Sequence, residues 1–430
     1  MKKRIFALLL ATFLLFCLVS CADDPAGEPN ESQPAQTDGG TEAPDPNRGG
    51  EEQDPDGGTS GGDEQKPDDG STPGGDGEQD SVREEKSIDI YLIAGQSNAS
   101  GYTRITSASS LYERAPDLKT GYSNVHYAGN ARSDKDSYAT LVNNQKSWRP
   151  VTLSLGRADG YFGPEAGMAQ SLSAYYNEET GKHAGIIKLA HGGTCLLNST
   201  SGSNQHGNWV SPSYAEHLGV TYASPVGGLY NALVEEVRTQ IAELEEYGGF
   251  THVNIVGLYW MQGENDRGNP TEYEKAFGYF VDDLRISLSA VAKRFNGDED
   301  DGGASRMAVF VGSVSETFSA ATESNIASNR TFIEMQKGLA ETIENCYFVD
   351  NSAYAINQWN GTESVVVGSD RYHWNQEDAL SIGINVGIMI LENCTDYRNP
   401  DEEMWEELFD SVTGGDGNEY INDEHWTDFY

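Results

Sequence analysis

The segment IDIYLIAGQSN, residues 88–98, indicates both the fold of the chain and its chemistry. It begins as an almost continuous apolar run, which is typical of a parallel strand covered on both faces. A glycine turn follows, and Ser97 stands directly after it, between the amide side chains of Gln96 and Asn98. Because open α/β sheets bind ligands at the carboxyl ends of their strands, Ser97 is well placed to act as a nucleophile.

Further apolar runs follow the first, and helical patterns separate them. The predicted strands are 88–93, 185–190, 253–260, 307–312 and 347–350. One predicted helix begins at Pro164-Glu165. Four others are predicted to cover residues 229–244, 271–291, 332–343 and 379–391. This alternation predicts an α/β fold with a central parallel sheet and right-handed crossovers. Two long insertions, 102–163 and 196–225, follow the first two strands and should lie over the same sheet edge as Ser97.

The first twenty residues are typical of an export signal. Three cationic residues precede an apolar run, 5–19, that is shorter than the ~20 residues of a membrane-spanning helix. The run ends in LVSC, 18–21, which resembles the lipobox of bacterial lipoproteins. That resemblance implies cleavage before Cys21 and attachment of lipid to Cys21. The protein would then be exported and anchored to a bacterial membrane, at the cell surface or the periplasmic face. The alternative is an ordinary signal peptide in which Cys21 has no role.

Composition divides the remainder into three parts. Residues 21–86 are rich in Gly, Pro, Asp and Glu, with a net charge of −16, and are predicted to form a disordered acidic tether. Residues 87–396 are predicted to be the catalytic domain, and 397–430 an acidic C-terminal extension whose apolar stripe predicts one docked helix. Residues 87–430 carry a net charge of −27, and this acidic charge argues against a nucleic-acid partner, whose phosphates need a basic surface.

A serine hydroxyl needs a base, since it is a poor nucleophile near neutral pH. His373 is the candidate base, and Asp370 stands three residues before it, ahead of the last predicted helix. That spacing lets the carboxylate bind one imidazole nitrogen while the other nitrogen faces the serine. The developing oxyanion needs donors, for which the candidates are the backbone amides of Ser97 and Gly193 and the side-chain amide of Gln262.

Four segments together resemble the SGNH hydrolases, and among them the sialate O-acetylesterase-like and plant-type carbohydrate esterases. The segments are AGQSN at 94–98, GGT at 192–194, WMQGEND at 260–266 and DRYH at 370–373. The resemblance implies a flavodoxin-like three-layer sandwich. It also implies hydrolysis of acyl esters, commonly acetyl groups on sugars. Its triad would be Ser97, Asp370 and His373, and its oxyanion hole Ser97, Gly193 and Gln262.

Several residues near these motifs remain open to two interpretations. Glu264 and Asp266 could form an acid–base pair, but a loop-orienting role is favoured, as is a supporting role for Gln96 and Asn98. Aromatic residues of the insertions could stack on sugar rings or fill small cores of their own; they are Tyr102, Tyr122, Tyr127, Trp148, Trp209 and Tyr214. Cys346 and Cys394 could form a disulfide, although three small buried cysteines are favoured slightly.

The preferred function is therefore a serine esterase that removes acyl groups from carbohydrate through an acyl-serine intermediate, with no cofactor and no metal. The histidines other than His373 are scattered without metal-ligand spacing. The expected partners are an acylated carbohydrate substrate and a membrane, reached through the lipid on Cys21. Two alternatives remain: the same machinery acting on another ester or as an acyltransferase, and a non-catalytic surface lipoprotein that binds glycan.

Overall fold

The computed structural model describes residues 85–129, 148–319, 322–352, 354–359, 364–366, 370 and 372–397. The predicted signal peptide and Cys21 lie outside the described residues. So do the predicted tether up to residue 84 and the C-terminal extension beyond residue 397. None of the helices in the described ranges is long and apolar enough to cross a membrane.

Seven strands in the described ranges form one sheet. They are Ser87–Gly95 (β1), Val125–Gly129 (β3), Arg149–Pro150 (β4), Ala184–Ala190 (β6), His252–Met261 (β7), Ala308–Gly312 (β8) and Cys346–Val349 (β9). Their order is β4-β3-β6-β1-β7-β8-β9, and every neighbouring pair is parallel except β3 and β4. Two antiparallel pairs lie outside this sheet. They are Thr103–Arg104 (β2) with Tyr161–Phe162 (β5), and Asn357–Trp359 (β10) with Ser364–Val366 (β11).

The helices follow the predicted alternation. They are Ser97–Ser100 (α1), Ala108–Arg114 (α2), Glu165–Leu172 (α3), Pro212–Leu218 (α4), Gly228–Ala242 (α5), Leu244–Gly248 (α6), Pro270–Asn296 (α7), Glu323–Thr342 (α8) and Gln376–Cys394 (α9). Short 3-10 helices cover Pro116–Lys119, Gly202–His206 and Ala304–Arg306. The five helices that the sequence predicts correspond to α3, α5, α7, α8 and α9, with end positions that differ by up to nine residues, the largest difference being at the start of α8.

The side chains of β1 alternate between two hydrophobic cores. Ile90 and Leu92 belong to the core that also contains buried residues of α5, α7 and α8, whereas Tyr91 and Ile93 belong to the core formed with α3 and α9. All four are fully buried, which explains the continuous apolar run of this strand. Helices therefore cover both faces of a mostly parallel sheet, and the predicted three-layer α/β sandwich is confirmed.

Helix α7 packs one apolar face against the hydrophobic core on its side of the sheet. Phe277, Val281, Leu284 and Leu288 recur at three- and four-residue spacing and are fully buried, whereas Ile286 on the other face is 71% exposed. Burying a side chain of this size contributes about 1.5–3 kcal/mol, so this stripe is a major reason that the helix docks on the sheet.

Strand β1 lies at the point where the connections of the sheet change direction. The chain runs from β1 to β3, returns to β6 beside β1, and then crosses to β7 on the other side of β1. Ligands of open α/β sheets bind outside the carboxyl ends of the strands at such a point. The fold therefore predicts a site at the carboxyl end of β1, where Ser97 lies.

Two expectations about the first insertion and the cysteines need correction or refinement. The insertion 102–163 contributes β3 and β4 to the sheet instead of forming only loops. The sequence of β3, VHYAG, is short and includes a histidine, so it lacks the apolar run that marked the other strands. The disulfide alternative is wrong, because Cys195, Cys346 and Cys394 are free thiols.

Candidate active site

Three of the four predicted segments leave neighbouring strands at the same level of the sheet. Gly95, the last residue of β1, pairs with Ala190 of β6 on one side and with Met261 of β7 on the other. The chain after each of these residues therefore starts from the same sheet edge. This register places the serine turn beside the loops that follow β6 and β7, as the sequence predicts.

The turn before the serine requires glycine at position 95. Its φ of +134° lies in the region that favours glycine, and a Cβ there would lie 2.0 Å from the carbonyl oxygen of Met261. The backbone N–H of Gln96 donates to the same oxygen at 3.0 Å. Ser97 then begins α1 and is 8% exposed, so it lies in a largely enclosed position at the end of the central strand.

A buried ion pair fixes the other end of α1. Lys188 of β6 and Glu165 of α3 are both 0% exposed, and their charged atoms meet at 2.8 Å. The Lys188 ammonium also donates to the carbonyl oxygens of Ser100 and Leu155, at 3.2 and 2.8 Å. Since Ser100 is the last residue of α1, this ion pair positions the serine helix. The role of Lys188 was not predicted, because its only signal in the sequence is a charge inside the apolar run of β6.

Side-chain hydrogen bonds hold the loop after β6. The Thr194 hydroxyl donates to the carbonyl oxygen of His191 at 2.7 Å and accepts from the indole N–H of Trp209 at 2.9 Å. Gly193 has a φ of +70° and is partly exposed, whereas its neighbours in this loop are buried. Within the described ranges, no acceptor is bonded to the backbone N–H of Gly193 or to that of Ser97. Both N–H groups are therefore available to a developing oxyanion.

The side-chain amide of Gln262 already has acceptors within the protein. Its Nε2 atom lies 2.7 Å from Asp266 Oδ2 and 3.0 Å from the carbonyl oxygen of Thr194. Both hydrogens of the amide are thus in use, and Gln262 ties the loop after β7 to the loop after β6. The predicted role of Gln262 as a third oxyanion donor stays a prediction, and in this arrangement the two backbone N–H groups are the open donors.

Asp266 is the acceptor at the centre of these contacts. It is 3% exposed, and its Oδ2 atom also accepts the backbone N–H of Leu196 at 2.7 Å. Burial raises the pKa of Asp266 to about 6, although hydrogen bonds from Gln262 and Leu196 act in the opposite direction. Asp266 therefore holds two loops of the site together, in agreement with the favoured loop-orienting interpretation.

The fourth segment contains a histidine–carboxylate pair. Asp370 Oδ2 lies 2.9 Å from Nδ1 of His373, and Asp370 Oδ1 accepts the backbone N–H of Tyr372 at 2.7 Å. Burial acts to raise the pKa of Asp370, but its hydrogen bond and charge interaction with His373 outweigh burial, so this pKa lies below its ordinary value. The ionised carboxylate favours the tautomer with the proton on Nδ1, which leaves Nε2 of His373 to act as a base.

Contacts with the residues that follow α1 hold this histidine at the same sheet edge as Ser97. The ring of Tyr102 lies 4.8 Å from the imidazole of His373, measured between centroids, with a tilt of 34°. The Thr103 hydroxyl donates to the carbonyl oxygen of Trp374 at 3.2 Å. Residues 102 and 103 closely follow α1, so the chain that bears the serine also supports the loop that bears the histidine.

Glu264, on the loop after β7, contacts the residue that follows Ser97. Its Oε1 atom accepts a hydrogen bond from Asn98 at 2.9 Å. Burial raises the pKa of Glu264, and the nearby charge of His373 acts to lower it, which places the two side chains in the same electrostatic environment. Glu264 therefore orients the residue after Ser97. Among the described hydrogen bonds, none joins Glu264 to His373.

Within the described part of the chain, no hydrogen bond joins the Ser97 hydroxyl to His373. Catalytic hydrogen bonds of sites without substrate are often long and tighten only when substrate binds. The structure thus brings Ser97, Gly193 and the Asp370–His373 pair to one sheet edge, and their catalytic roles stay predictions.

The first insertion and the second contribute buried aromatic residues. Their exposed fractions are 9% or less, and they are Tyr102, Tyr122, Tyr127, Trp148, Trp209 and Tyr214. Buried rings cannot offer a face to a sugar, so the core-filling interpretation is the better of the two for these residues. His191 is also buried, and its Nδ1 lies 3.2 Å from the carbonyl oxygen of Gly192.

Residues 87–293 match the family model described as "Carbohydrate esterase, sialic acid-specific acetylesterase". The chain is similar to this family over that segment, and it is a carboxylic ester hydrolase that acts on carbohydrate. The matched segment of the esterase includes Ser97, Gly193 and Gln262, whereas Asp370 and His373 follow its end. The roles of the latter two stay predictions from their motif.

Solved structures of low sequence identity resemble the esterase. The crystal structure of NanS is 16% identical over 75% of this chain and 99% of that chain, with a TM-score of 0.43. A carbohydrate acetylesterase from Xanthomonas citri is 15% identical over 71% of this chain and 56% of its own, with a TM-score of 0.42. Est24, a carbohydrate acetylesterase from Sinorhizobium meliloti, is 11% identical over 72% and 99%, with a TM-score of 0.31. No curated protein sequence matches the chain.

Proposed function

We propose that the esterase removes O-acetyl groups from carbohydrate, with Ser97 as nucleophile, His373 as general base and acid, and Asp370 as its orienting carboxylate. The observation that carries the proposal is the strand register at Gly95. That register supports the proposal because Ser97 and the open backbone N–H of Gly193 follow strand ends at one edge of the sheet. The contacts of Tyr102 and Thr103 with the loop that bears His373 support it from the other side of the site. A non-catalytic glycan-binding role is not favoured, since the family model that matches residues 87–293 is described as a carbohydrate esterase.

In the first half of the reaction, the Ser97 oxygen attacks the carbonyl carbon of the acetyl ester while Nε2 of His373 takes the hydroxyl proton. The carbonyl oxygen becomes an oxyanion, which accepts the N–H groups of Ser97 and Gly193. When the tetrahedral intermediate collapses, the bond to the sugar oxygen breaks. His373 gives its proton to that oxygen, the sugar leaves as an alcohol, and Ser97 carries the acetyl group.

In the second half, water attacks the acetyl-serine carbonyl. His373 takes a proton from the water, the same two N–H groups stabilise the second oxyanion, and the bond to the Ser97 oxygen breaks. The serine oxygen recovers its proton from His373, and acetate leaves. Asp370 stays ionised throughout and stabilises the imidazolium that forms in each half, in keeping with its lowered pKa.

The experiment is acetate release from O-acetylated sialic acid, acetylated xylan and acetylated peptidoglycan, comparing the wild-type esterase with Ser97→Ala. We expect release from at least one of these substrates, and a fall in kcat of about 10⁶-fold in the variant, because a nucleophile acts as one unit with its base. Undiminished release by Ser97→Ala would contradict the assignment. Transfer of the acetyl group to an added sugar, in place of acetate release, would favour the acyltransferase alternative.

We also propose that the esterase is exported and anchored by lipid on Cys21, which is supported by the apolar run and the LVSC segment at 18–21. The acidic residues between the anchor and the domain would then hold the active site away from the membrane surface. Expression in a bacterium fed labelled palmitate should label the full chain, and Cys21→Ala should lose the label. Equal labelling of both proteins would refute the anchor.

A further inference from the structure

The mechanism determines on which side of the site the sugar lies. In the acylation step the sugar oxygen is the leaving group, and it receives its proton from His373. The sugar ring must therefore lie within reach of the imidazole, on its solvent-accessible side. Tyr102 occupies one side of the imidazole and is only 7% exposed, so that side is closed by the protein.

An exposed aromatic ring also lies beside the imidazole. The ring of Tyr372 lies 6.4 Å from that of His373, edge to face, and Tyr372 is 43% exposed. Exposed large hydrophobic residues are few in the described ranges, and the other two are Tyr247 and Ile286. Tyr247 lies in α6, before the amino end of β7 and thus at the opposite edge of the sheet. Tyr372 is therefore the exposed ring of the catalytic edge.

The position of Tyr372 is coupled to the catalytic pair. Its backbone N–H donates to Oδ1 of Asp370, the carboxylate whose other oxygen binds His373. The ring of Phe318 lies 6.2 Å from that of Tyr372, and the guanidinium of Arg267 lies 5.1 Å from the Phe318 ring. Arg267 in turn donates to the carbonyl oxygen of Glu264. These contacts preorganise Tyr372 before substrate arrives, which lowers the entropic cost of binding on it.

We propose that Tyr372, supported by Phe318 and Arg267, is the subsite for the sugar ring that leaves in the acylation step. The inference rests on the proposed function. A pyranose ring presents a face of C–H groups, and such a face packs favourably on the electron-rich face of an aromatic ring. The subsite therefore takes the ring of an acetylated pyranose, and it gives no advantage to an acetyl ester whose alcohol has no ring.

The test is the ratio of kcat/KM for an acetylated pyranoside to kcat/KM for ethyl acetate, whose alcohol is too small to cover Tyr372. We expect Tyr372→Ala and Tyr372→Leu each to lower this ratio about 10-fold, mainly through KM for the pyranoside. Tyr372→Trp, which keeps an aromatic face, should retain a ratio close to that of the wild type. The ratio removes any general loss of activity that a change beside His373 causes.

Tyr247→Ala is the matched control, because Tyr247 is a similarly exposed tyrosine, at 37%, far from the catalytic edge. Its ratio should equal that of the wild type. A ratio for Tyr372→Ala and Tyr372→Leu within twofold of the wild type would overturn the subsite, provided that circular dichroism shows both variants folded. Failure of the proposed function would look different, since the wild type itself would then release no acetate from either ester.

Discussion

The two sides of the active site are built in different ways. The serine side is fixed by main-chain register, with Gly95 pressed against Met261 and a fully buried Lys188–Glu165 ion pair holding α1. The histidine side is a loop held by side-chain contacts. There the Asp370 side chain is 42% exposed and the imidazole of His373 is 12% exposed.

This difference indicates that the two sides have different mechanical requirements. A nucleophile that must meet its oxyanion donors benefits from a rigid strand end, because donors misplaced by about 1 Å lose much of their effect. A histidine that exchanges protons with Ser97, with the sugar oxygen and with water serves three partners in turn. A loop with partial exposure gives it access to all three. Changes on the serine side should therefore act on stability and activity together, whereas changes on the histidine side should act on activity alone.

The largest effect should come from the histidine side. Asp370→Asn should lower kcat about 10⁴-fold, because the carboxamide no longer favours the proton on Nδ1 of His373 or stabilises the imidazolium. The free energy of unfolding should change by less than about 1 kcal/mol, since Asp370 is partly exposed. Initial rates and urea unfolding measure the two quantities.

Asp350→Asn is a matched control for that variant. Asp350 accepts the backbone N–H of the residue two positions later, Ser352, at 2.8 Å, as Asp370 does for Tyr372 at 2.7 Å. Among the contacts of the described residues, none joins Asp350 to a histidine. The control should therefore keep the wild-type kcat. If Asp370→Asn lost several kcal/mol of unfolding free energy together with its activity, the proposed difference between the serine side and the histidine side would be wrong.

The second effect should come from the serine side. Lys188→Met should lower the free energy of unfolding by about 3–5 kcal/mol, because it leaves the carboxylate of Glu165 buried without its partner. The double variant with Glu165→Met should be more stable than the single one, since no uncompensated charge remains. Chemical denaturation of both variants measures the difference.

Lys182→Met supplies the comparison for the buried lysine. Lys182 pairs with Asp396 at 2.9 Å, but the two side chains are 42% and 82% exposed. Its replacement should cost less than about 1 kcal/mol. Similar losses for Lys182→Met and Lys188→Met would mean that the buried pair does not hold the serine side.

The smallest effect concerns pH. The pKa of Asp266 is about 6 in the folded chain and 3.8 ordinarily, so the folded state binds this proton more tightly. The resulting stabilisation is fully present below pH 4 and is lost as the pH rises through 6. Relative to Asp266→Asn, the wild type should therefore lose about 2 kcal/mol of unfolding free energy between pH 4 and pH 7.

Urea unfolding of both proteins across this pH range provides the measurement. Asp282→Asn, on the exposed face of α7, is the control whose difference from the wild type should not follow the same course. A difference between wild type and Asp266→Asn that stays constant with pH would show that Asp266 titrates normally, and would weaken its role in joining the two loops.

The sequence predicted the serine side well because its determinants are local. An apolar run, a glycine and a serine are contiguous, and strand ends that belong to one parallel sheet must meet at one edge. The central strands, the five main helices and the convergence of residues 97, 193 and 262 followed from this pattern.

Long-range contacts were less accessible to prediction. Lys188 looked like an interruption of a strand, because its partner Glu165 comes from another element and only the fold brings them together. The hydrogen-bond partners of Gln262 were also unexpected, since its amide could have pointed to either side of the loop. Tyr372 was quoted only as part of a motif, because exposure cannot be read from the spacing of residues.

The central claim is that Ser97 carries the acetyl group during turnover. Rapid acid quenching of the wild-type esterase with an acetylated substrate, followed by peptide mapping by mass spectrometry, tests it most directly. The account predicts one acetyl group on the peptide that contains Ser97, and none on the corresponding peptide of Ser97→Ala. Turnover with the acetyl group on a different residue, or sustained acetate release by Ser97→Ala, would contradict it.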